Sequence, residues 1–266
     1  MRDRAGRLID YLRISVTDRC NLRCTYCMPS EGILLKSHFQ LLSLEEIYEV
    51  AKYAVSVGVS KIKITGGEPL VRKNIVHLVE LLSSIAGLDD LGMTTNGTFL
   101  SKMAVELKDA GLMRINISLD TLDPQKFKSL TRGGDINEVF EGIYASLAVG
   151  MAPVKLNSVM LPGFNDDEKS ELRNFADRHG LGIRFIPKMN LETGEFGVVE
   201  GGDGGKCHIC NRLRLSADGK FRPCLFSDIE YDVRELGIEK AFAMALGNKP
   251  DEGRTSHNRK MVQLGG

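Results

Sequence analysis

The stretch Lys61-Ile62-Lys63-Ile64-Thr65-Gly66-Gly67-Glu68-Pro69, followed by Asn74 and by Ile75, Leu78, Val79 and Leu82, decides the architecture. Its first five residues alternate around two isoleucines and predict a short strand. The Gly-Gly-Glu-Pro cluster then breaks the chain direction, as Gly and Pro do. Asn74 suits a helix N-cap, and the apolar residues after it recur at helical spacing. Strand, tight turn and helix in this order form the opening of a β–α–β unit.

The same unit repeats on both sides. Further strands are predicted at Tyr11–Val16, Leu91–Thr95, Arg114–Leu119, Pro153–Met160 and Gly182–Ile186. Ser43 opens a helix with Glu46 three residues later, the pattern of a capping box. Ser101 starts another that ends near Gly111, and Asn137–Val149 reads as a fourth. Asn165-Asp166-Asp167-Glu168 places acidic residues at the start of a fifth, where the helix dipole favours them. Repetition of this kind predicts an α/β fold with a parallel sheet and right-handed crossovers; about six units suit an open or partial barrel. After Met189 the alternation stops, and Gly194, Gly197, Gly201, Gly202, Gly204 and Gly205 crowd a short stretch. The chain therefore divides into residues 1–189, the barrel, and residues 190–266, a glycine-rich linker with a small C-terminal region.

The bulk composition narrows the function classes. Lys+Arg and Asp+Glu both number 35 in 266 residues, for a formal net charge of zero. That balance gives no broad nucleic-acid surface. No apolar run approaches the roughly 18 residues of a membrane span. Met1-Arg2-Asp3-Arg4 lacks the apolar segment of a secretory signal, so a cytoplasmic protein is expected. In that compartment the six cysteines are reduced thiols, metal ligands or catalytic groups.

All six fall into two triads. Cys20, Cys24 and Cys27 form C-x3-C-x2-C directly after the first strand. Three thiolates on a cubane iron–sulfur cluster leave one iron without a protein ligand, free to bind a small molecule. Zinc is the alternative, with a fourth ligand from elsewhere. Cys207, Cys210 and Cys224 form the second triad, for which His208 and His257 are candidate fourth ligands of a zinc knuckle. Arg212 and Arg214 follow at alternate positions, on one face of an extended segment. Guanidinium groups there suit an oxyanion such as phosphate. Asp18, Gly66–Pro69, Asn96-Gly97 and Asp120 all follow predicted strands, so the unusual residues gather at one end of the sheet, where α/β folds bind ligands.

The motif Cys20-Asn21-Leu22-Arg23-Cys24-Thr25-Tyr26-Cys27, together with Gly66-Gly67-Glu68-Pro69, resembles the signatures of radical S-adenosylmethionine enzymes. A narrower resemblance runs from the first strand to the last residue. Leu12–Cys20, Ile64–Leu70, Thr94–Gly97, Arg114–Asp120, Ile183–Ile186, Cys207–Phe226 and the tail Leu264-Gly265-Gly266 are similar to the GTP 3′,8-cyclase family of molybdenum cofactor biosynthesis. The resemblance implies a radical-enzyme partial barrel of six β–α units, two 4Fe–4S clusters and S-adenosylmethionine. The first cluster would cleave S-adenosylmethionine reductively, and the 5′-deoxyadenosyl radical would take the C3′ hydrogen of GTP to give 3′,8-cyclo-7,8-dihydro-GTP.

By position, the resemblance assigns S-adenosylmethionine to Tyr26, Gly67, Glu68, Ser118 and Met189. It assigns GTP to Arg13, Lys63, Thr94, Lys155, Arg184, Arg212, Leu213 and Arg214, and catalytic support to Arg13, Arg212, Arg214, Gly265 and Gly266. It further implies an external electron donor, a downstream cyclic pyranopterin monophosphate synthase, and a monomer or homodimer. Two departures stand out. Lys63 occupies a position where the family usually has Arg, and only residues 190–206 separate Met189 from Cys207, where the family usually has several dozen. Another two-cluster radical enzyme, such as one modifying a peptide, and a non-catalytic iron–sulfur module are the competing readings.

Overall fold

The computed structural model describes residues 1–264. Gly265 and Gly266, assigned above to catalytic support, lie outside the described residues. The parallel strands are β1 (Tyr11–Ser15), β2 (Lys61–Thr65), β3 (Asp90–Thr95), β4 (Arg114–Ser118), β5 (Val154–Met160) and β6 (Gly182–Pro187). They pair in sequence order, each parallel to the next. The helices between them are α1 (Leu44–Ser56), α2 (Ile75–Ser83), α3 (Leu100–Asp109), α4 (Pro124–Thr131), α5 (Ile136–Ala148) and α6 (Lys169–Arg178). The expected partial barrel of β–α units is thus present.

Alternation along the strands sorts the side chains. Leu12 and Ile14, Ile62 and Ile64, Leu91 and Met93, and Ile115 and Ile117 are buried in one continuous core. Helix residues such as Ile47, Val50, Leu78, Leu82, Leu107 and Val139 complete it. The intervening residues face the opposite side of the sheet, and there the set is polar: Tyr11, Arg13, Lys63, Arg114, Asn116, Lys155 and Arg184. Arg184 on β6 still lies close enough to Arg13 on β1 for the two charges to repel. These strands stand far apart in the ladder, so the sheet must curl to bring them together, enclosing a lumen.

The region after residue 190 joins this sheet. Strand β7 (Arg212–Leu215) pairs parallel to β1, and β8 (Lys220–Arg222) and β9 (Tyr231–Asp232) continue it antiparallel. Leu213, Leu215, Phe221 and Phe242 enter the main core, the last from α8 (Ile238–Gly247), which follows the short α7 (Val233–Leu236). The change of pattern at 189/190 therefore falls within one nine-stranded sheet. Among the described residues no helix is long and apolar enough to cross a membrane.

Helix starts show which local signals hold. Ser43 and Glu46 form the reciprocal capping box. Asn74 occupies the N-cap of α2 in a left-handed conformation without a side-chain cap. The fifth expected start shifts: α6 begins at Lys169, because Asn165 turns inward and donates to the carbonyls of Asp120 and Val159 at 2.6 and 2.9 Å. Helix α4, not anticipated, is capped by Asp123, whose carboxylate accepts from the backbone of Gln125 and Lys126.

Candidate active site

The first cysteine triad sits on the loop leaving β1, at the carboxyl end of the sheet. The Gly66-Gly67 turn after β2 packs directly on the start of this loop. Gly67 N–H donates to Thr17 O at 2.7 Å and Glu68 N–H to Arg19 O at 2.8 Å. A Cβ on Gly67 would lie 2.3 Å from Arg19 O, so only glycine fits. This is a structural reason for the glycines beside the ligand approach expected from the motif.

Glu68 is buried, and its carboxylate accepts from Leu70 N–H (3.0 Å), the Thr95 hydroxyl (2.7 Å) and Asn96 N–H (2.6 Å). Burial raises its pKa to about 7 against these bonds. A carboxylate offers about four lone-pair sites, so most of Glu68's capacity goes to bracing the turn against the end of β3. Asn96 extends the brace: its amide donates to Asn21 Oδ1 at 2.8 Å and lies 4.0 Å from Cys20 Sγ.

Tyr26, inside the cysteine loop, donates its hydroxyl to Asp120 Oδ2 at 2.7 Å. Asp120 follows β4 and also accepts from Val159 N–H at 2.7 Å. Burial pushes its carboxyl up to about 6, against the hydrogen bonds from Val159 and Tyr26. The pair therefore fastens the cysteine loop to β4 and β5. Ser118 ends β4 on the lumen face. Met189 is placed differently from the other proposed S-adenosylmethionine residues: it packs with Leu191, Leu225, Phe226, Leu264 and Cys224 in a small second core.

The thiols of the first triad are buried together. Burial, then Asp120, then the neighbouring cysteines hold Cys24 well above its ordinary value, while burial, Cys20 and Asp120 push Cys27 up to about 12. Such a set favours thiolates only when a cationic centre binds them, which fits a cluster. In the second triad, burial acts to raise Cys210, but Lys249 and Arg212 outweigh it and bring the thiol down to about 7. His208 and His257 are exposed. Among the described residues no three His, Cys, Asp or Glu side chains converge as one metal ion requires. A cubane instead takes its thiolates on separate irons. Both donor sets thus suit iron–sulfur clusters.

Between the triads lies the cationic lumen. Registry places Arg13 beside Lys63 on one side and Arg214 on the other. Lys63 is buried, and its ammonium donates to Asn116 Oδ1 at 3.0 Å. Burial, Arg114, Arg13 and Arg184 drive its pKa well below 10.5. Arg214 is lowered to about 9 by burial, Arg13 and Arg212, and its buried Nη1 has no hydrogen-bond partner among the described residues. Lys155 and Arg184 are lowered too, mainly by burial. Asp90, the carboxylate beside Lys63 and Lys155, is taken up by Arg114 in a two-point pair, and Asp203 lies near Arg184. A lumen with this excess of cations awaits an anion.

Most residues assigned to GTP meet here, and Thr94 on β3 lies on the same face. Leu213 does not join them: its side chain is fully buried in the main core, on the far face of β7, so only its backbone adjoins the lumen. Asn116 and Arg114, which shape the site, were not singled out by the sequence, although both alternate with core isoleucines on β4. Lys249 was missed because nothing around Asn248-Lys249-Pro250 marks it locally.

A curled parallel sheet with a three-cysteine loop at its carboxyl end defines the radical S-adenosylmethionine class, and the family model "Radical SAM superfamily" matches residues 14–176. In solved structures the fold recurs in anSMEcpe with bound AdoMet (TM-score 0.65, 16% identity, 90% of this chain and 78% of that one). It recurs also in methylornithine synthase (TM-score 0.58, 17% identity, 95% and 77%). Curated relatives are closer. A GTP 3′,8-cyclase of Moorella thermoacetica is 42% identical over 323 aligned positions covering all of both chains. One from Peptoclostridium acidaminophilum is 43% identical over 99% of this chain and 98% of its own. The chain belongs to the GTP 3′,8-cyclase family of the radical SAM superfamily.

Proposed function

We propose that this chain converts GTP to 3′,8-cyclo-7,8-dihydro-GTP for molybdenum cofactor biosynthesis, using S-adenosylmethionine and two 4Fe–4S clusters. The observation that carries the substrate assignment is the lumen itself: Arg13, Lys63, Arg184 and Arg214 converge, and a buried guanidinium nitrogen of Arg214 has no hydrogen-bond partner among the described residues. Buried cations need compensating anions, and a triphosphate supplies them in the right place.

Cys20, Cys24 and Cys27 hold the first cluster, and Cys207, Cys210 and Cys224 the second. When bound, the first cluster supplies the electron that cleaves S-adenosylmethionine to methionine and the 5′-deoxyadenosyl radical. Tyr26 and Asp120 fix the loop that carries it. Gly67 and Ser118 line the S-adenosylmethionine side, Glu68 holds the turn that presents Gly67, and Met189, assigned to the same ligand by the resemblance, stands apart from them in the second core beside Cys224. Lys63, Lys155, Arg184 and Arg13 orient the triphosphate. Arg212 and Arg214, on β7 next to Cys210, hold GTP between the lumen and the second triad, with Thr94 on the opposite wall. Residues 1–189 thus serve radical generation, and residues 190–266 the second cluster and the tail, where Gly265 and Gly266 support turnover. An external electron donor would supply the electron that the first cluster passes on, a cyclic pyranopterin monophosphate synthase would take the product, and the enzyme would act in the cytoplasm as a monomer or homodimer.

Anaerobic turnover of the reconstituted protein with S-adenosylmethionine, reductant and GTP tests this, with mass spectrometry of the products. Formation of 5′-deoxyadenosine together with a cyclised nucleotide, both dependent on GTP, is expected. Formation of 5′-deoxyadenosine with no cyclised nucleotide would retain the radical chemistry and refute GTP as substrate.

A further inference from the structure

Lys249 follows α8, and its side chain is buried. The ammonium donates to Arg212 O at 2.7 Å and to Pro223 O at 2.8 Å. It also reaches the Cys210 thiol and lies close to Cys224. The two carbonyls flank the ligands of the second triad: Arg212 comes two residues after Cys210, and Pro223 immediately precedes Cys224. An ammonium carries three protons, so one side chain ties the two cysteine-bearing segments together.

The same stretch of chain secures the third cysteine. Arg7 Nη1 donates to Cys207 O and to Asp251 O, both at 3.0 Å, and Nη2 donates to Pro250 O at 2.8 Å. Asp3 fixes Arg7 through a 2.6 Å ion pair. Gly253 closes the contact, since a Cβ there would lie 3.2 Å from Cys224 Sγ and 2.8 Å from Phe226 Cβ. Residues 249–253 thus form a collar to which every member of the triad is attached, although none of them is a ligand.

Charge sharpens the role of Lys249. A buried ammonium is costly unless hydrogen-bonded and balanced. Its bonded oxygens are neutral carbonyls, and the groups of opposite charge that act on it are Cys210 and Cys224. An iron–sulfur cluster held by thiolates is anionic and gains negative charge on reduction, and neighbouring charge and hydrogen bonds to sulfur set its potential. We propose that Lys249 is a positioning residue for the second cluster: it fixes the spacing of Cys210 and Cys224, and its fixed positive charge favours the reduced cluster. This rests on the reading of Cys207, Cys210 and Cys224 as a cluster site.

The test uses the full chain with Cys20→Ser, Cys24→Ser and Cys27→Ser, so that only the second triad can load. Lys249, Lys249→Met and Lys249→Arg forms are reconstituted anaerobically. Iron per chain, the rate of iron loss to a chelator, and the midpoint potential from an EPR-monitored titration are compared. Outer-sphere partners of this kind are worth about 10–100-fold in metal affinity. Lys249→Met is expected to lose iron about 10–100-fold faster and to shift the midpoint to a more negative value, and Lys249→Arg to bring the midpoint back toward the parent. Unchanged iron loss and midpoint in Lys249→Met would overturn the proposal. So would loss of the cooperative thermal transition in both variants, which would assign Lys249 to general packing. Absence of iron in the parent carrying Lys249 would instead refute the cluster reading of the triad itself.

Discussion

Consider the substitution Lys63→Met, which keeps the side chain's length and removes its charge. In the folded protein the Lys63 ammonium has, among the described residues, one side-chain hydrogen-bond partner, the neutral amide oxygen of Asn116 at 3.0 Å. Arg114, Arg13 and Arg184 repel it, and the nearby Asp90 is already engaged by Arg114. Replacing buried charges with apolar groups of similar volume often stabilises a protein by about 1–4 kcal/mol. The loss of Asn116's partner offsets about 0.5–1.5 kcal/mol of that. A net gain of about 1–2 kcal/mol is expected without GTP, or roughly 2–8 °C in thermal midpoint for a chain of this size. With GTP the balance reverses. A hydrogen bond between charged partners is worth about 1.5–3 kcal/mol, so GTP should bind about 10–150-fold more weakly.

Differential scanning calorimetry of the reconstituted protein, with and without GTP, reads both effects. The variant should melt higher alone and gain less from GTP. A lower midpoint without GTP, or an undiminished GTP-induced rise, would refute the picture of a lumen held in electrostatic strain until its anion arrives. The pH dependence gives a second check. In the unfolded chain Lys63 keeps its proton up to about its ordinary value of 10.5, whereas in the fold it gives the proton up earlier. Between those two values the unfolded state binds more protons, so this residue makes stability rise with pH. Lys63→Met should flatten that rise.

Cys24→Ala is expected to abolish cleavage of S-adenosylmethionine while the second triad still loads iron, as iron counting and EPR would show; retained cleavage would remove Cys24 from the first cluster. The double variant Arg212→Ala, Arg214→Ala should spare both clusters and reduce GTP turnover by at least about 100-fold, the order expected from losing two charged contacts. Deleting Gly265 and Gly266 should leave iron content unchanged and lower the yield of cyclised nucleotide; equal yield would make the tail dispensable. Glu68→Gln puts an NH2 group where a carboxylate oxygen accepts, and should lower stability by about 1–3 kcal/mol in thermal melts. Because Glu68 is raised from 4.5 to about 7 in the fold, the native state binds more protons across that interval. Its contribution therefore falls as pH rises from about 4.5 to about 7, and Glu68→Gln should remove that slope.

Much of this was legible from local pattern. β2 spans Lys61–Thr65 as read, and β1, β3, β4, β5 and β6 fall within a residue at each end of their expected bounds, whereas no strand was expected at β7. Such strands carry apolar residues on the face that meets the helices, so periodicity finds them. The cationic lumen was legible for the same reason: a charged residue between two core isoleucines, as in Lys61–Thr65, has to face inward. What local pattern could not give were contacts made across the chain. Asn165 looks like a helix cap, yet it is drawn inward by carbonyls at Asp120 and Val159. Arg7 looks like an N-terminal surface charge, yet it reaches Cys207, Pro250 and Asp251. Leu213 lies between two lumen arginines and was counted with them, although alternation alone turns it into the core.

The short connection between Met189 and Cys207 bears on whether a compact chain can keep the family's chemistry. The alignment to the Moorella relative runs over 323 positions against a chain of 266 residues, so the relative carries segments that this chain lacks. In the structure the connection is not a bare link. Glu200 pairs with Phe185, extending hydrogen bonding past the edge strand β6, and Asn190 pairs with Glu195. Gly201 O accepts from Arg184 Nε at 3.3 Å, and Asp203 O accepts from Arg212 Nη2 at 3.0 Å. One short segment therefore touches a lumen arginine on β6 and another on β7. Both contacts are through backbone carbonyls, which orient a guanidinium without cancelling its charge. A longer insertion is not needed to bring these arginines to bear, because the short segment already contacts both and leaves their charge available to an anion.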